Sequence, residues 1–467
     1  MNIENKDENM TYYLYAGTYT GGMHSDLEVT GSKGIYIYRM DEETNKLHPL
    51  GVFSGNEIDP AFLAIKDNLL FAENERKDYQ VIRSYRIHED GSLSLADAVN
   101  AKGAKCAHIC TDPVGNYVIG AGYLSGSVLV ARYESDGRMV PTQQIFHQGH
   151  SVMPRRQESA HAHSSRYTPD GKGVLVPDLG TDKVMNYDFD RGSGILSPNS
   201  KQPSLDVKPG EGPRHLVFHP SLPVAYLLTE IGNHIYVYDY NSSDRTFRQA
   251  QTISVLPKEY HGISYCAELI ISGDGRFLYS SNRGHDTISA FTISKETGRL
   301  EVLGYFDCGG KGPRHICFGI REEAIVVANK DSNELCVVER NKESGHLGKV
   351  CSRQNVPALC CSEGMERSMK IMTDVKEKMM KHQRIACAFL RIPDPSIAEV
   401  MAGEGVDLLV LDQEHYVFNE ETMLHIIRAM DVPASYGCRK LTGKRLDGLW
   451  TAERAESFWR IQLTRPR

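Results

Sequence analysis

Apolar and polar residues alternate along most of this chain in short runs broken by Pro, Gly, Asn or Asp, the pattern of half-buried β-strands and tight turns. The runs repeat as a unit: an apolar strand, a turn, a second apolar strand, a polar loop and an aromatic-rich third strand. HLVFHPSLPVAYLLTEIGNHIYVYDYN starts at His215, ELIISGDGRFLYSSNRGHDTISAFTIS at Glu268 and HICFGIREEAIVVANKDSNELCVVERN at His315. HICTDPVGNYVIGAGYLSGSVLVARYE starts at His108, HSSRYTPDGKGVLVPDLGTDKVMNYDFD at His163, and a degenerate copy, FLAIKDNLLFAENE, at Phe62. Successive starts are 46, 55, 52, 53 and 47 residues apart. Several copies add a turn before a fourth strand, as in DRGSGIL, KETGRL, KESGHL and EETNKL. Four strands in roughly fifty residues make the blade of a β-propeller.

Six copies are explicit. Near the N-terminus LYAGTYT, GIYIYRM and KLHPLGV supply three strands of a seventh but no innermost one, and VPALCC at 356–361 is free to supply it. That exchange closes the ring and removes its open edges. The expectation is an all-β, seven-bladed propeller over residues 11–362, preceded by a disordered stretch at 1–10.

The first strand of each blade lines the central channel, so repeat-equivalent residues share one level. The first residue of that strand is His108, His163, His215, Glu268 or His315, expected at one mouth. Two copies carry the same preceding tripeptide, Gly212-Pro213-Arg214 and Gly312-Pro313-Arg314. The second strand runs back to the same mouth and ends at Glu75, Tyr123, Leu179, Glu230, Arg283 or Lys330. The residues just before, Asn74, Asp178, Thr229, Asn282 and Asn329, are of types that satisfy turns. A single ring histidine is read first as a group bonding neighbouring backbone. Arg214, Glu230 and Arg283 are read as functional, because blade packing does not call for charges of changing sign at equivalent positions.

Composition narrows the function. The 467 residues carry a formal net charge of −7, which lacks the basic footprint of a nucleic-acid binder. The opening MNIENKDENM has no apolar signal core, and no stretch has the length of a membrane span. The eleven cysteines have no regular spacing and read as reduced thiols. These features suggest a cytoplasmic protein, a monomer or weak dimer, with neither nucleic acid nor membrane as partner.

SAHAHSSRYTPDGKGVLVPDLGTDKV, GEGPRHLVFHP, LLTEIGN, AELIISGDGRFLYSSNRGHDTISAF, GPRHICF and ANKDSN follow one another at blade spacing. Over about residues 12–361 the chain resembles the lactonase family of 6-phosphogluconolactonases, which shares its propeller with fungal carboxymuconate cyclases. The resemblance implies hydrolysis of a small anionic sugar lactone, 6-phospho-D-glucono-1,5-lactone, to 6-phosphogluconate in the oxidative pentose phosphate pathway. It also implies a catalytic set of His163, Arg214, Glu230 and Arg283. His161 belongs to the same motif, in which Ala162 stands where the family commonly has Pro.

The residue types suit the reaction. Arg214 or Arg283 can stabilise charge on a lactone oxygen attacked by water, and His163 or Glu230 can take the proton of that water. Arg314 and Lys330 are candidates for a phosphate, with His215, Glu268, His285 and His315 as further substrate contacts. No nucleophilic G-x-S-x-G elbow occurs. No cofactor is expected. A divalent cation on Glu75, Glu230, Asn282 and Asn329 is chemically conceivable but disfavoured by the adjoining Arg and His residues. The same sequence is also compatible with a different sugar lactonase, a muconate-type cyclase, or a propeller acting only as a binding platform.

After residue 362 the pattern changes. Residues 363–432 read as a helix followed by strand–helix–strand–helix. DLLVLDQEH, preceded by a P-x-x-x-E-x-x-A-type helix, resembles the start of a class II pyruvate-type, citrate-lyase-like aldolase over about 385–431, and the resemblance implies Asp412 and His415 as its dyad. Only two βα units of an eight-unit barrel are present, so no aldolase site is expected. Residues 433–467, with Trp450 and Trp459, read as an unrelated basic tail.

Overall fold

The computed structural model describes residues 10–21, 31–55, 59–75, 78–368, 387–390, 408–411 and 439–442. Contacts divide the chain into one unit of Thr11–Arg367 and a second of Met1–Met10 with Ser368–Arg467. The first unit is a propeller of seven antiparallel sheets.

Blades 2 to 7 are consecutive in the chain. Their innermost strands are Pro60–Lys66, Cys106–Thr111, Arg166–Tyr167, Pro213–Phe218, Tyr265–Ile271 and Pro313–Phe318. Blade 1 takes Met10–Thr18, Ile35–Met40 and Leu47–Phe53 from the N-terminus and its inner strand, Leu359–Ser368, from the far end. The ring therefore closes as the alternation predicts. The closing strand is displaced, however: VPALCC supplies only its beginning, and the strand continues seven residues past Cys361.

An apolar cluster fills each of the seven gaps between neighbouring blades. One of them joins blade 7 to blade 1 through Val326, Ala328 and Val337 on one side and Tyr12, Leu14 and Tyr38 on the other. Polar staples cross the same gaps. Tyrosines of second strands donate to the hairpin between the third and fourth strands of the next blade: Tyr15 to Gly91 O at 2.9 Å, Tyr117 to Arg191 O at 2.8 Å, Tyr226 to Gly298 O at 2.9 Å and Tyr279 to Gly345 O at 2.8 Å. The glycine of this hairpin is required. Gly298 has φ +68°, and a side chain there would meet Val224 of the neighbouring blade at 2.7 Å.

In the second unit Cys387–Leu390, Leu408–Leu411 and Arg439–Thr442 form a parallel three-stranded sheet in that order. The first two strands are those the sequence suggests. The third comes from the segment read as an unrelated tail. Asp412 and His415 lie outside the described residues, as do most of residues 1–10. Among the described residues no helix is long and apolar enough to cross a membrane.

Candidate active site at the channel mouth

The repeated Gly-Pro-Arg turn is a device for aiming arginine. Gly212 and Gly312 take left-handed backbone, φ +65° and +66°, which glycine adopts without strain. Their amides donate to Asp182 Oδ1 at 2.7 Å and Asp286 Oδ1 at 2.8 Å of the preceding blades. The strand register then shifts between Pro213 and His215 and between Pro313 and His315, which makes Arg214 and Arg314 the extra residues of β-bulges. A bulge re-aims one side chain without ending the strand.

Arg214, Glu230, Arg283 and His163 converge. Arg214 Nη1 contacts Glu230 Oε2 and lies 2.6 Å from His163 Nε2, while its Nε donates to Ala267 O at 2.6 Å. His163 Nε2 is 3.4 Å from Glu230 Oε2, and Arg283 Nη2 is 3.1 Å from Glu230 Oε1. A guanidinium only donates, so His163 Nε2 accepts and the imidazole proton resides on Nδ1. Burial, then Arg214, hold His163 well below the usual imidazole range. Burial opposes ionisation of Glu230, but Arg214, then Arg283 and His163, outweigh it and hold the carboxyl well below the usual range. Burial also brings Arg214 down to about 10 against the pull of Glu230.

A third arginine completes the cluster. Arg156 Nη2 is 2.6 Å from Glu230 Oε1, and its guanidinium lies 5.4 Å from the ring of Tyr265. It comes from the long connection between blades 3 and 4, outside the repeat, so comparing blades could not reveal it. The available signal was the length of that connection and the RRQES run leading into the histidine motif. The connection is anchored by the buried Gln157, whose Nε2 donates to Leu179 O at 2.8 Å, and by Ser151 Oγ donating to Asp182 Oδ2 at 2.5 Å.

Glu75 centres a second cluster at the same strand ends. Tyr19 OH donates to Glu75 Oε1 at 2.8 Å, Arg314 Nη2 is 3.3 Å from Oε1, and Lys105 Nζ is 3.2 Å from Oε2. Lys330 Nζ stands 5.8 Å from the Tyr19 ring, and burial, then Arg314, lower its pKa. Lys105 is a second site residue that blade comparison did not single out. It occupies the left-handed position, φ +48°, that glycine holds in the Gly-Pro-Arg turns.

Three of the expected substrate contacts do not reach this mouth. His215, Glu268 and His315 lie one residue deeper and bond one another: His215 Nδ1 is 2.7 Å from Glu268 Oε1, and His315 Nε2 is 3.2 Å from Glu268 Oε2. His215 and His315, with Phe62, His108 and His163, form an aromatic belt across the channel, with ring centroids of successive members 4.4 to 5.6 Å apart. On the side away from Glu230 the belt residues Phe62, His108 and His315 line a cavity of about 630 Å³ together with Arg166, Glu268 and Glu363, among others. Burial, then Glu268, push Glu363 up to about 8. His161 stacks on Tyr123 at 4.6 Å and His285 bonds Thr287 Oγ1 at 2.6 Å, so neither touches Glu230.

The four oxygen donors considered for a cation do not converge either. Asn282 Nδ2 is turned to Ser289 Oγ at 2.7 Å and Asn329 Nδ2 to Cys308 O at 2.9 Å, each toward its own blade surroundings, while both carboxylates face guanidinium groups. The arrangement does not fit a divalent ion.

A seven-bladed ring with cationic side chains around a buried carboxylate at one mouth of its channel defines the chain as a seven-bladed β-propeller with a charged channel mouth. Residues 13–363 match the family profile "Lactonase, 7-bladed beta-propeller", and the chain belongs to that family. It is 33% identical over 359 residues to the 6-phosphogluconolactonase of Bacillus subtilis, covering 75% of this chain and 98% of that protein. Its fold matches a periplasmic gluconolactonase of Pseudomonas aeruginosa with a TM-score of 0.69 and 30% identity, over 76% of this chain and 99% of that one. A Lactobacillus plantarum protein matches with a TM-score of 0.69 and 28% identity, over 76% of this chain and 99% of that one.

Proposed function

We propose that this lactonase-family protein hydrolyses 6-phospho-D-glucono-1,5-lactone to 6-phosphogluconate, the lactone-opening reaction of the oxidative pentose phosphate pathway. The observation that carries this reading is the pair of clusters at one mouth, where five cationic side chains, Arg156, Arg214, Arg283, Lys105 and Arg314, share two carboxylates, Glu230 and Glu75. The surplus positive charge suits a phosphate dianion. Its substrate is a cytoplasmic metabolite, so the cytoplasm is the compartment this reading requires.

Water adds to C1 of the lactone and negative charge develops on the carbonyl oxygen. The guanidinium groups of Arg283 and Arg214 are fixed by backbone carbonyls before the reaction and stabilise that charge without reorganising. The two oxygens of Glu230 differ. Oε2 faces the buried Arg214 and His163, whereas Oε1 faces the partly exposed Arg156 and Arg283. Glu230 Oε1 is therefore the oxygen that takes the proton of water; the C1–O5 bond then breaks and Glu230 returns that proton to O5, which restores the carboxylate. A carboxylate held this acidic is a weak base. A δ-lactone already opens spontaneously in water, so electrostatic stabilisation supplies most of what is needed.

A second reading, an unphosphorylated sugar lactone as substrate, is supported by the likeness to the Pseudomonas gluconolactonase. The two are separated by kcat/KM for freshly prepared 6-phosphogluconolactone and for gluconolactone, each corrected for spontaneous opening. A clear preference for the phosphorylated lactone supports the first reading, and equal or reversed values overturn it.

A further inference from the structure

Glu230 carries one negative charge and is contacted by three guanidinium groups. They are not equivalent. The Arg214 side chain is 4% exposed and its Nε is bonded to Ala267 O; the Arg283 side chain is 20% exposed and bonded to Cys266 O and Tyr265 O. Arg156 is the outermost, 32% exposed, and reaches the carboxylate from a connection outside the blades. Its Nη2 sits at 2.6 Å on Oε1, the oxygen that the proposed mechanism assigns to water. Arg156 must therefore leave Oε1 for water to approach it.

That departure gives up the contact with Glu230 and a hydrogen bond with Tyr123, less than the loss of Arg214 would. Removing Arg214 would leave a buried carboxylate without its main partner, whereas without Arg156 the carboxylate keeps Arg214, Arg283 and His163. The other cations at the mouth stand around Glu75 and Tyr19 rather than on the oxygen assigned to water. Arg314 and Lys105 are held by the buried Glu75, and Lys330 lies against Tyr19. A guanidinium can bind phosphate through two parallel charge-assisted bonds, and a dianion offers Arg156 more charge than a carboxylate it shares with two other arginines.

We propose that Arg156 is the specificity-determining residue for a phosphorylated substrate: it leaves Glu230 Oε1 to hold the phosphate and in doing so frees that oxygen for water. The proposal rests on the lactonase reading above and adds to it a reason for discrimination. A neutral lactone offers Arg156 nothing to move to, so it meets a Glu230 that stays blocked. Substrate binding and base release are thereby one event, a form of induced fit. The anchored Gln157 keeps the backbone of the connection in place, so only the Arg156 side chain has to move.

The test compares the full-length protein with Arg156→Gln and with Arg156→Lys, which keeps the charge but not the planar fork. Hydrolysis of 6-phosphogluconolactone and gluconolactone is measured alongside calorimetric binding of 6-phosphogluconate, gluconate and inorganic phosphate. For Arg156→Gln, the kcat/KM ratio of phosphorylated to unphosphorylated lactone is expected to fall about tenfold to a hundredfold, the loss of one charge-assisted contact. Binding of 6-phosphogluconate should weaken by a similar factor, gluconate by much less, and Arg156→Lys should recover part of both losses. Equal loss on both lactones, or unchanged 6-phosphogluconate binding, would overturn the proposal. Should the wild type prove inactive on the phospholactone, the lactonase reading fails by itself, and phosphate binding still reports on Arg156: unchanged binding in Arg156→Gln would reject its role.

Discussion

Arg214 and Arg314 occupy the same place in blades 5 and 7, each the extra residue of a bulge behind a Gly-Pro turn, yet they serve different carboxylates. Arg214 Nη1 contacts Glu230 Oε2, whereas Arg314 Nη2 lies 3.3 Å from Glu75 Oε1. One local device, used twice around a ring, thus builds two cationic clusters at a single mouth. Blades 2, 3 and 6 put Ala61, Ala107 or Ala267 within the corresponding register shift, so the ring stays uncrowded where no charge is needed.

The belt beneath the cleft should not titrate like free histidine. Burial first, then neighbouring cations and imidazoles, lowers the pKa of His108, His163 and His215 well below 6.5, and burial lowers His315 as well. The expected result is that these four rings remain neutral as pH falls from 8 through 6.5. Ring-carbon NMR of labelled histidine, assigned by single His→Gln variants, checks this. A midpoint near 6.5 for any of the four would mean that its ring is solvated or differently paired.

The tyrosine staples give an ordered pair of stability effects. Tyr226→Phe removes one hydrogen bond to Gly298 O and should cost about 1 kcal/mol. Tyr279 also accepts from Arg340 Nε at 2.7 Å, and the Arg340 side chain is 0% exposed. Tyr279→Phe therefore strips a partner from a buried charge as well and should cost about 1.5–3 kcal/mol. Urea unfolding midpoints should fall in that order; equal shifts would show that the Arg340 contact contributes nothing.

The closing strand makes a prediction about length. A chain ending at residue 368 keeps the whole inner strand of blade 1, Leu359–Ser368, and should retain lactonase activity and a cooperative thermal transition. A chain ending at residue 361 loses seven residues of that strand, reopens an edge of the ring and should melt well below the longer one. If both melt together, pairing beyond Cys361 has no part in closure.

The repeat made the ring legible because strand alternation, turn glycines and blade length all point to the same architecture. It also gave Arg214, Glu230 and Arg283, since a charge at a repeat-equivalent position stands out against its copies. The depth of a side chain was not legible. His215 and Arg214 are adjacent in sequence, and only the bulge, which turns Arg214 into the cleft and leaves His215 in the belt, separates their roles. Arg156 was hidden for a different reason: it lies between blades, where there is no copy to compare. The end of the closing strand was missed because apolar alternation stops near Cys361 while backbone pairing continues.

The central claim is that the carboxylate ringed by arginine at this mouth opens a lactone. Its most direct test is the initial rate of acid release from fresh 6-phosphogluconolactone, measured side by side for the wild type and Glu230→Gln and corrected for spontaneous opening. Glutamine keeps the shape of the side chain but cannot take the proton of water. The wild type should exceed the uncatalysed rate by a wide margin, and Glu230→Gln should lose about a hundredfold or more in kcat while remaining folded. A folded Glu230→Gln protein as fast as the wild type, or a wild type no faster than the spontaneous reaction, would contradict the account.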